Sequence, residues 1–342
     1  MMLPPLLRVL LWPISPLYGQ LVRLRVCLYE KGILKRRRLA KPVISVGNLT
    51  VGGTGKTPMV IWLAQRLMAE GKRVGILSRG YKGSGSTSDE IELMKSRLQV
   101  PNAGFHPPGN SGAIFGVGAN RFEQGKHLEA SVDVFVLDDG FQHLALARDV
   151  DILLVDASQP LARQALLPTG RLREPISAMA RADILIFTRT ETVSGSSAAI
   201  EKFQDFPVFS AATRLIGFRR LGHGSAIIPL EQIGAGPFYA FCGIGNPRAF
   251  FQDLQNWNLP LTERCEFPDH HRYDARDASE LEEAARRAGA KALLTTEKDA
   301  QNLHSVEFSA MPVFIVLVEL EISKADALLA LVREKIESRV AA

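Results

Sequence analysis

Cysteine is scarce in this 342-residue chain. Cys27, Cys242 and Cys265 are odd in number, scattered and without metal-ligand spacing. A disulfide framework and a cysteine-based zinc site are therefore excluded, and free thiols in a reducing compartment are expected. Long apolar runs are lacking too. The longest uncharged stretch of the N-terminal segment, Val9 to Val22, is interrupted by Pro13, Ser15, Pro16, Gly19 and Gln20. A membrane-spanning helix needs about 20 predominantly apolar residues, so none is expected. No basic region precedes that stretch and no small-residue cleavage site follows it, which argues against a secretory signal. No internal repeat and no long low-complexity tract is present. With 46% hydrophobic and 23% charged residues the composition is globular, and the length allows two domains.

Net positive charge is missing from most of the chain. Residues 1–41 hold Arg8, Arg23, Arg25, Lys31, Lys35, Arg36, Arg37, Arg38 and Lys41 against a single acid, Glu30, a local charge of +8. The remainder therefore carries −3 within a chain total of +5. Such local basicity argues against a nucleic-acid partner. The same segment is rich in leucine, with Trp12 and Tyr18 among the leucines. An interfacial anchor is expected, apolar side chains in the acyl boundary and basic groups near anionic headgroups. A helix packed into the core is the alternative.

The segment from Gly47 to Thr57, GNLTVGGTGKT, follows the apolar run Val43–Val46 and precedes an amphipathic stretch from Pro58 to Ala69. That order reads strand, glycine-rich loop, helix. Backbone N–H groups of Gly52, Gly53, Thr54 and Gly55 can cradle phosphate oxygens at a helix N-terminus. Lys56 can reach the β- and γ-phosphates, and the Thr57 hydroxyl can meet Mg²⁺. Thr50 stands where the usual GxxxxGK[ST] pattern has its first glycine. ATP and Mg²⁺ are the expected cofactors. A second run, Val134–Leu137, ends in Asp138 and Asp139. Carboxylates at a strand's carboxyl end can hold Mg²⁺ in phosphoryl-transfer sites. Adjacent residues of an extended chain point apart, so one faces the metal and the other anchors the loop.

Ser78-Arg79-Gly80-Tyr81, then Asp138-Asp139-Gly140-Phe141-Gln142-His143, then Leu167-Pro168-Thr169-Gly170-Arg171-Leu172-Arg173-Glu174-Pro175 occur in that order. Phe267-Pro268-Asp269-His270-His271 and Thr296-Glu297-Lys298-Asp299 come later. This ordered set resembles the tetraacyldisaccharide 4′-kinase family of lipid A synthesis, over residues from about 10 to about 300. The resemblance implies γ-phosphoryl transfer from ATP to the 4′-hydroxyl of an acylated glucosamine disaccharide 1-phosphate. It places the enzyme on the cytoplasmic face of the inner membrane, peripheral or monotopic, with no obligate protein partner. By the same resemblance Asp89 acts as base, paired with His270, although Ser88 and Ile91 replace the family's flanking Gly and Pro. Asp139 is the fallback base. Glu90 joins Thr57, Asp138 and Asp139 as a candidate metal ligand. Arg121, Gln142, His143, Arg171, Arg173 and Glu174 are weaker candidates for gripping phosphate or sugar. The chemistry agrees: a sugar hydroxyl needs a carboxylate to take its proton as it attacks.

The expected fold class is α/β: a P-loop NTPase-like, mostly parallel sheet flanked by helices, with a second, smaller α/β domain and an N-terminal interfacial helix. Residues 1–40 form the membrane-associating segment, 41–208 the kinase core, 209–230 a hairpin linker and 231–342 the smaller domain. Strands are expected at Val43–Val46, Val74–Ser78, Val134–Leu137, Ile152–Val155 and Ile184–Phe187, then near Phe238–Phe241, Leu261–Phe267, Ala292–Thr295 and Val313–Val318. Residues 82–112 are expected to form loops, with a helix start at Ser88-Asp89-Glu90 as the alternative reading there. Asp89 and His270 then lie in different units, with the nucleotide in a cleft that closure completes. The main rival is a P-loop GTPase or nucleotide-driven maturation factor. Its [NT]KxD guanine reader is matched poorly both by Thr296–Asp299 and by Thr188-Arg189-Thr190-Glu191. A peripheral adaptor without catalysis is disfavoured by intact Lys56, Thr57 and Asp138.

Overall fold

The computed structural model describes residues 13–80, 89–99, 112–159, 161, 164–192, 203, 206–224 and 226–340. They fall into two compact units: residues 1–82, 97–212 and 320–342, and residues 83–96 and 213–319.

In the first unit, β1 (Val43–Asn48), β2 (Val74–Ser78), β3 (Ile114–Val117), β4 (Val134–Asp138), β5 (Val150–Asp156), β6 (Ile184–Thr188) and the start of β7 (Val208–Arg220) pair in the order β3-β2-β4-β1-β5-β6-β7. Every pair is parallel. All residues of β1, β4, β5 and β6 are buried. Strands covered on both faces need near-continuous apolar runs, which is why these runs were legible in the sequence. The register sets Val46 beside Asp138 of β4 and Asn48 beside Leu154 of β5. The acidic strand end and the glycine loop thus emerge side by side. The loop leads into α2 (Lys56–Ala69), which buries Met59, Val60, Leu63, Ala64 and Leu67.

α1 (Ile14–Glu30) docks on this unit through small and polar residues. Ser15 Oγ lies 2.7 Å from Thr169 Oγ1, and the Tyr18 hydroxyl donates to the Arg173 carbonyl at 2.8 Å. A Cβ on Gly19 would stand 2.8 Å from Leu166. Ile14, Leu17, Leu21 and Leu24 are 45–58% exposed. Their spacing puts them along one side of the helix. The helix is therefore packed on the unit without burying its leucine stripe. Residues 1–12 of the expected anchor, Arg8 and Trp12 included, lie outside the described residues.

In the second unit, β8 (Phe238–Cys242), β9 (Leu261–Glu266), β10 (Ala292–Thr296) and β11 (Val313–Ile322) pair in parallel in the order β11-β10-β8-β9. Side chains alternate across β8. Phe238, Ala240 and Cys242 pack with Phe250, Phe251 and Leu254 of α5 (Pro247–Asn256). Tyr239 and Phe241 pack with Leu281 and Ala285 of α6 (Ala275–Arg287). α6 opens on a capping box between Asp274 and Asp277.

Several expectations change. Residues 89–98 form a helix, α3 (Asp89–Leu98), where loop was expected. Its buried Ile91, Met94 and Leu98 keep a helical spacing that the Gly, Ser and Pro on either side obscure. Residues 83–96 cluster with the second unit, so Asp89 and His270 share a unit instead of lying in different ones. β3 and α4 (Arg121–Leu128) were not anticipated; β3 is four residues long and contains Gly116. The hairpin expected at 209–230 is present, with Phe218 and Ile228 exchanging backbone hydrogen bonds of 2.8 and 2.7 Å, but its first arm is the 13-residue strand β7. The C-terminal helix α8 (Ala325–Val340) belongs to the first unit, where Lys335 pairs with Asp183 at 2.8 Å.

Candidate active site

The phosphate loop is shaped from both ends. Gly52 and Gly55 have φ of 109° and 87°, conformations that side chains other than glycine's rarely adopt. Gly55 caps α2, whose first turn carries no acidic residue to oppose an anion. The Asn48 amide ends β1 fully buried and donates to Thr54 Oγ1 at 2.7 Å. The Thr188 hydroxyl at the end of β6 donates to the Thr54 carbonyl at 3.1 Å.

The segment 171–173 lies along the loop as a strap. Val51 N–H donates to the Arg171 carbonyl at 2.8 Å, and Arg173 N–H donates to the Leu49 carbonyl at 2.7 Å. The Arg171 guanidinium donates back to the Val51 carbonyl at 2.8 and 3.1 Å and bonds Gln159. A Cβ on Gly52 would collide with that guanidinium. Arg171 is thus engaged by the loop it braces. Glu174, 3% exposed, pairs with Arg181 at 2.7 Å, and the Arg181 guanidinium sits 4.7 Å from the centre of the Phe141 ring. Gln142 donates to the Asn48 carbonyl at 3.0 Å. These three side chains are held by protein atoms around the loop.

Asp138 and Asp139 diverge as adjacent residues must. Asp138, 5% exposed, accepts a hydrogen bond from Ser78 at 3.1 Å. Asp139 has a φ of 48°, which turns the chain out of β4. Gly140 then tucks under the sheet, where a Cβ would meet Ser45 Oγ at 2.5 Å. The Asp139 carboxylate takes both arms of Arg173 at 2.8 Å and lies 3.7 Å from Lys56 Nζ. Arg173 also donates to the carbonyl and side-chain oxygens of Asn48. Burial pushes the Asp139 carboxyl up, but the Arg173 hydrogen bonds and the charges of Lys56, Arg173 and Arg121 leave it below its ordinary pKa. Protein atoms crowd the carboxylate, yet 39% of the side chain meets solvent, so part of this field is screened. Lys56 is held between Asp139 and Asn48 Oδ1, the latter 3.4 Å away.

Arg121, 7% exposed at the start of α4, donates to Nδ1 of His143 at 3.4 Å. Burial, reinforced by Arg121, Arg148, Arg25 and Arg79, lowers the His143 pKa to about 4. The imidazole is therefore neutral at neutral pH. Burial also lowers the Arg121 pKa, against the pull of Asp139 and Asp138.

The second unit brings Asp89 and His270 together across 181 residues of chain: His270 Nδ1 is 3.0 Å from Asp89 Oδ2. Asn302 Nδ2 donates to the same oxygen at 2.9 Å. His270 has a φ of 60°, and its N–H donates to the Gly243 carbonyl at 3.0 Å. His271 is turned elsewhere: it stacks on Phe267, ring centres 4.5 Å apart, and meets Asp277 at 2.8 Å. Glu90 sits beside Asp89 in the first turn of α3. The sequence gives no role to Asn48, Asn302 or Ser78, although Ser78 opens the Ser-Arg-Gly-Tyr motif, and ranks Arg173 only among the weaker candidates. Asn48 and Ser78 each leave a signal, a polar residue closing an apolar strand.

A glycine loop between a parallel strand and a helix, a lysine at its base and an acidic neighbouring strand end define a P-loop nucleotide-binding protein. The family model of the tetraacyldisaccharide-1-P 4'-kinase matches residues 7–337. The tetraacyldisaccharide 4'-kinase of Geobacter sulfurreducens is 41% identical over 314 residues, covering 90% of this chain and 87% of that protein. That of Pelobacter propionicus is 40% identical over 325 residues, covering 93% and 89%. The crystal structure of LpxK from Aquifex aeolicus in complex with ATP superposes with a TM-score of 0.72 at 30% identity, covering 96% of this chain and 99% of that one. The chain belongs to the tetraacyldisaccharide-1-P 4'-kinase family.

Proposed function

We propose that the chain transfers the γ-phosphoryl group of ATP to the 4′-hydroxyl of a tetraacylated glucosamine disaccharide 1-phosphate, giving lipid IVA, with Asp89 as the base. The observation that carries the assignment of roles is the 3.0 Å contact between Asp89 and His270, made from distant parts of the chain in a family of kinases. Asp89 takes the hydroxyl proton as the sugar oxygen attacks, and His270 orients it. Lys56 and the N–H groups of Gly52, Gly53, Thr54 and Gly55 hold the phosphates. Arg173 and Asp139 keep Lys56 in place, so Asp139 serves the loop and is the weaker base candidate.

The donors fit Mg²⁺. Buried Asp138 and the Thr57 hydroxyl are hard oxygens and few in number, which suits an ion that keeps waters and takes phosphate ligands. Thr57 and Asp138 would hold it, while Asp139 is already matched by Arg173. When bound, the ion neutralises charge on the phosphate oxygens.

The GTPase reading is not favoured, since the family is one of kinases. Attachment to the cytoplasmic face of the inner membrane is supported by the exposed stripe Ile14, Leu17, Leu21 and Leu24 and by exposed Lys31, Lys35 and Arg36. Among the described residues no helix is long and apolar enough to cross a membrane. Arg37 and Arg38 pair with Glu123 and Asp149 at 2.8 and 2.6 Å, so they contribute less to that surface than the sequence suggested. The test of function is ³²P transfer from ATP to the tetraacylated disaccharide 1-phosphate, with the new phosphate mapped. Label at the 4′ position is expected. GTP hydrolysis without lipid labelling would overturn the proposal.

A further inference from the structure

The reading of Asp89 as base leaves open which oxygen takes the proton and what holds the carboxylate still. Oδ2 of Asp89 faces two donors, His270 Nδ1 at 3.0 Å and Asn302 Nδ2 at 2.9 Å. Among the described residues no hydrogen bond reaches Oδ1. Two donors on one oxygen fix the plane of the carboxylate and occupy that oxygen's lone pairs. Behind the histidine, Lys298 Nζ lies 3.4 Å from His270 Nε2 and 2.8 Å from Asp269 Oδ1. An ammonium only donates. Nε2 must then offer its lone pair, and the ring proton sits on Nδ1, pointing at Asp89. Asp269 lies 3.9 Å from Nε2, beyond hydrogen-bond range.

The frame behind these groups is densely hydrogen-bonded. Lys298 is in the short helix α7 (Glu297–Ala300), and Asn302 is in the turn after it, its N–H donating to the Asp299 carbonyl at 2.9 Å. The Asp299 side chain, 1% exposed, accepts from Gly243 N–H at 2.7 Å, Tyr273 Oη at 2.8 Å and Thr296 Oγ1 at 2.6 Å. That one carboxylate ties the end of β8, the loop carrying His270 and the turn carrying Asn302 to a common point. Gly243 in turn accepts the His270 N–H.

We infer that Asn302 and Lys298 are positioning residues that present Oδ1 of Asp89 as the proton acceptor. This rests on the reading of Asp89 as base. In the step, the sugar O–H bond breaks and its proton goes to Oδ1. The sugar oxygen bonds to the γ-phosphorus as the bond to the β-phosphate oxygen breaks, and ADP leaves with that electron pair.

The test measures kcat and KM by ³²P transfer in Asn302→Ala, Lys298→Met, Asp89→Asn and the double variant Asn302→Ala/Asp89→Asn. A misplaced base typically costs up to about 100-fold. Asn302→Ala and Lys298→Met should each lower kcat by about 10–100-fold, with KM for ATP within about twofold. Lys298→Arg, which keeps a donor, should recover part of the loss. In the Asp89→Asn background, Asn302→Ala should cost less than about twofold more, because residues that act as a unit are non-additive. Should Asn302→Ala fail to fold, the near-isosteric Asn302→Asp removes the donor instead, with at least the same loss expected. Wild-type kcat in both Asn302 variants, or an equal loss with and without the Asp89 carboxylate, overturns the inference while the base reading stands. Near-normal kcat in Asp89→Asn overturns the base reading, and the inference with it.

Discussion

Removing the Arg173 fork should uncouple the phosphate loop from the acidic strand end. Arg173 gives Asp139 two hydrogen bonds of 2.8 Å and adds contacts to Asn48, which in turn holds Thr54. Breaking a fully buried pair costs about 3–5 kcal/mol. Exposed pairs contribute about 0.2–1 kcal/mol. With side chains 19% and 39% exposed, this pair lies between those limits, nearer the lower, at about 1–2 kcal/mol. The loss also has a catalytic side. Without Arg173, Asp139 has Lys56 as its near cation, 3.7 Å away, and competes with phosphate for that charge. Arg173→Ala should therefore lower kcat by about tenfold or more, at about 1.4 kcal/mol per factor of ten. Arg173→Lys keeps the charge but cannot fork, and should recover less than half. The decisive assay is a double-mutant cycle of Arg173→Ala and Asp139→Asn in urea unfolding. A coupling of about 1–2 kcal/mol is expected near pH 7.5. The Asp139 pKa is depressed in the fold, so this stability is present above the unfolded carboxylate value and is lost as pH falls through the folded one. Coupling below about 0.5 kcal/mol, or unchanged in acid, would refute the reasoning.

Lys56→Ala should fold normally and lose about 10²–10³ in turnover, as removal of a preorganised charge does; ³²P transfer against a thermal melt checks it. Asp138→Asn should raise the Mg²⁺ requirement and Asp139→Asn should not, and titrating Mg²⁺ in both reverses the assignment if the pattern is opposite. His143 titrates at about 4 in the fold against an ordinary 6.5, so the unfolded chain binds the proton first and stability falls as pH drops from 6.5 to 4. After discounting for partial solvent access, wild type should lose about 1–3 kcal/mol more than His143→Gln over that window, and parallel urea curves would contradict it. Burying the exposed remainder of Ile14, Leu17, Leu21 and Leu24 should contribute about 4 kcal/mol of membrane affinity that salt does not screen. A high-salt wash should leave most of the enzyme on membranes and detergent should release it; complete release by salt would leave an electrostatic attachment only.

The sequence by itself determined the parallel sheet, the phosphate loop and the acidic strand end. Buried parallel strands must be apolar along their whole length, and a phosphate cradle needs glycine at Gly52 and Gly55, so these features are written locally. Asp89 and His270 were legible only through resemblance, because nothing in Ser88-Asp89-Glu90-Ile91 distinguishes a base from a helix start. Helix α3 was obscured by its flanks, although its buried positions keep a helical period. Only the tertiary structure gave the two carboxylates different partners. Asp138 and Asp139 are equivalent as letters, and Arg173, 34 residues onward, takes one of them. It likewise turned α1 from a choice between anchor and core helix into one that docks through Ser15 and Tyr18 and leaves Ile14, Leu17, Leu21 and Leu24 exposed. Asn302 gave no signal, for a hydrogen bond made across 213 residues leaves no trace in the spacing of a single chain. Local patterns record what each segment buries and how it turns, whereas the partner of a polar side chain is chosen by the folded packing of segments remote in sequence.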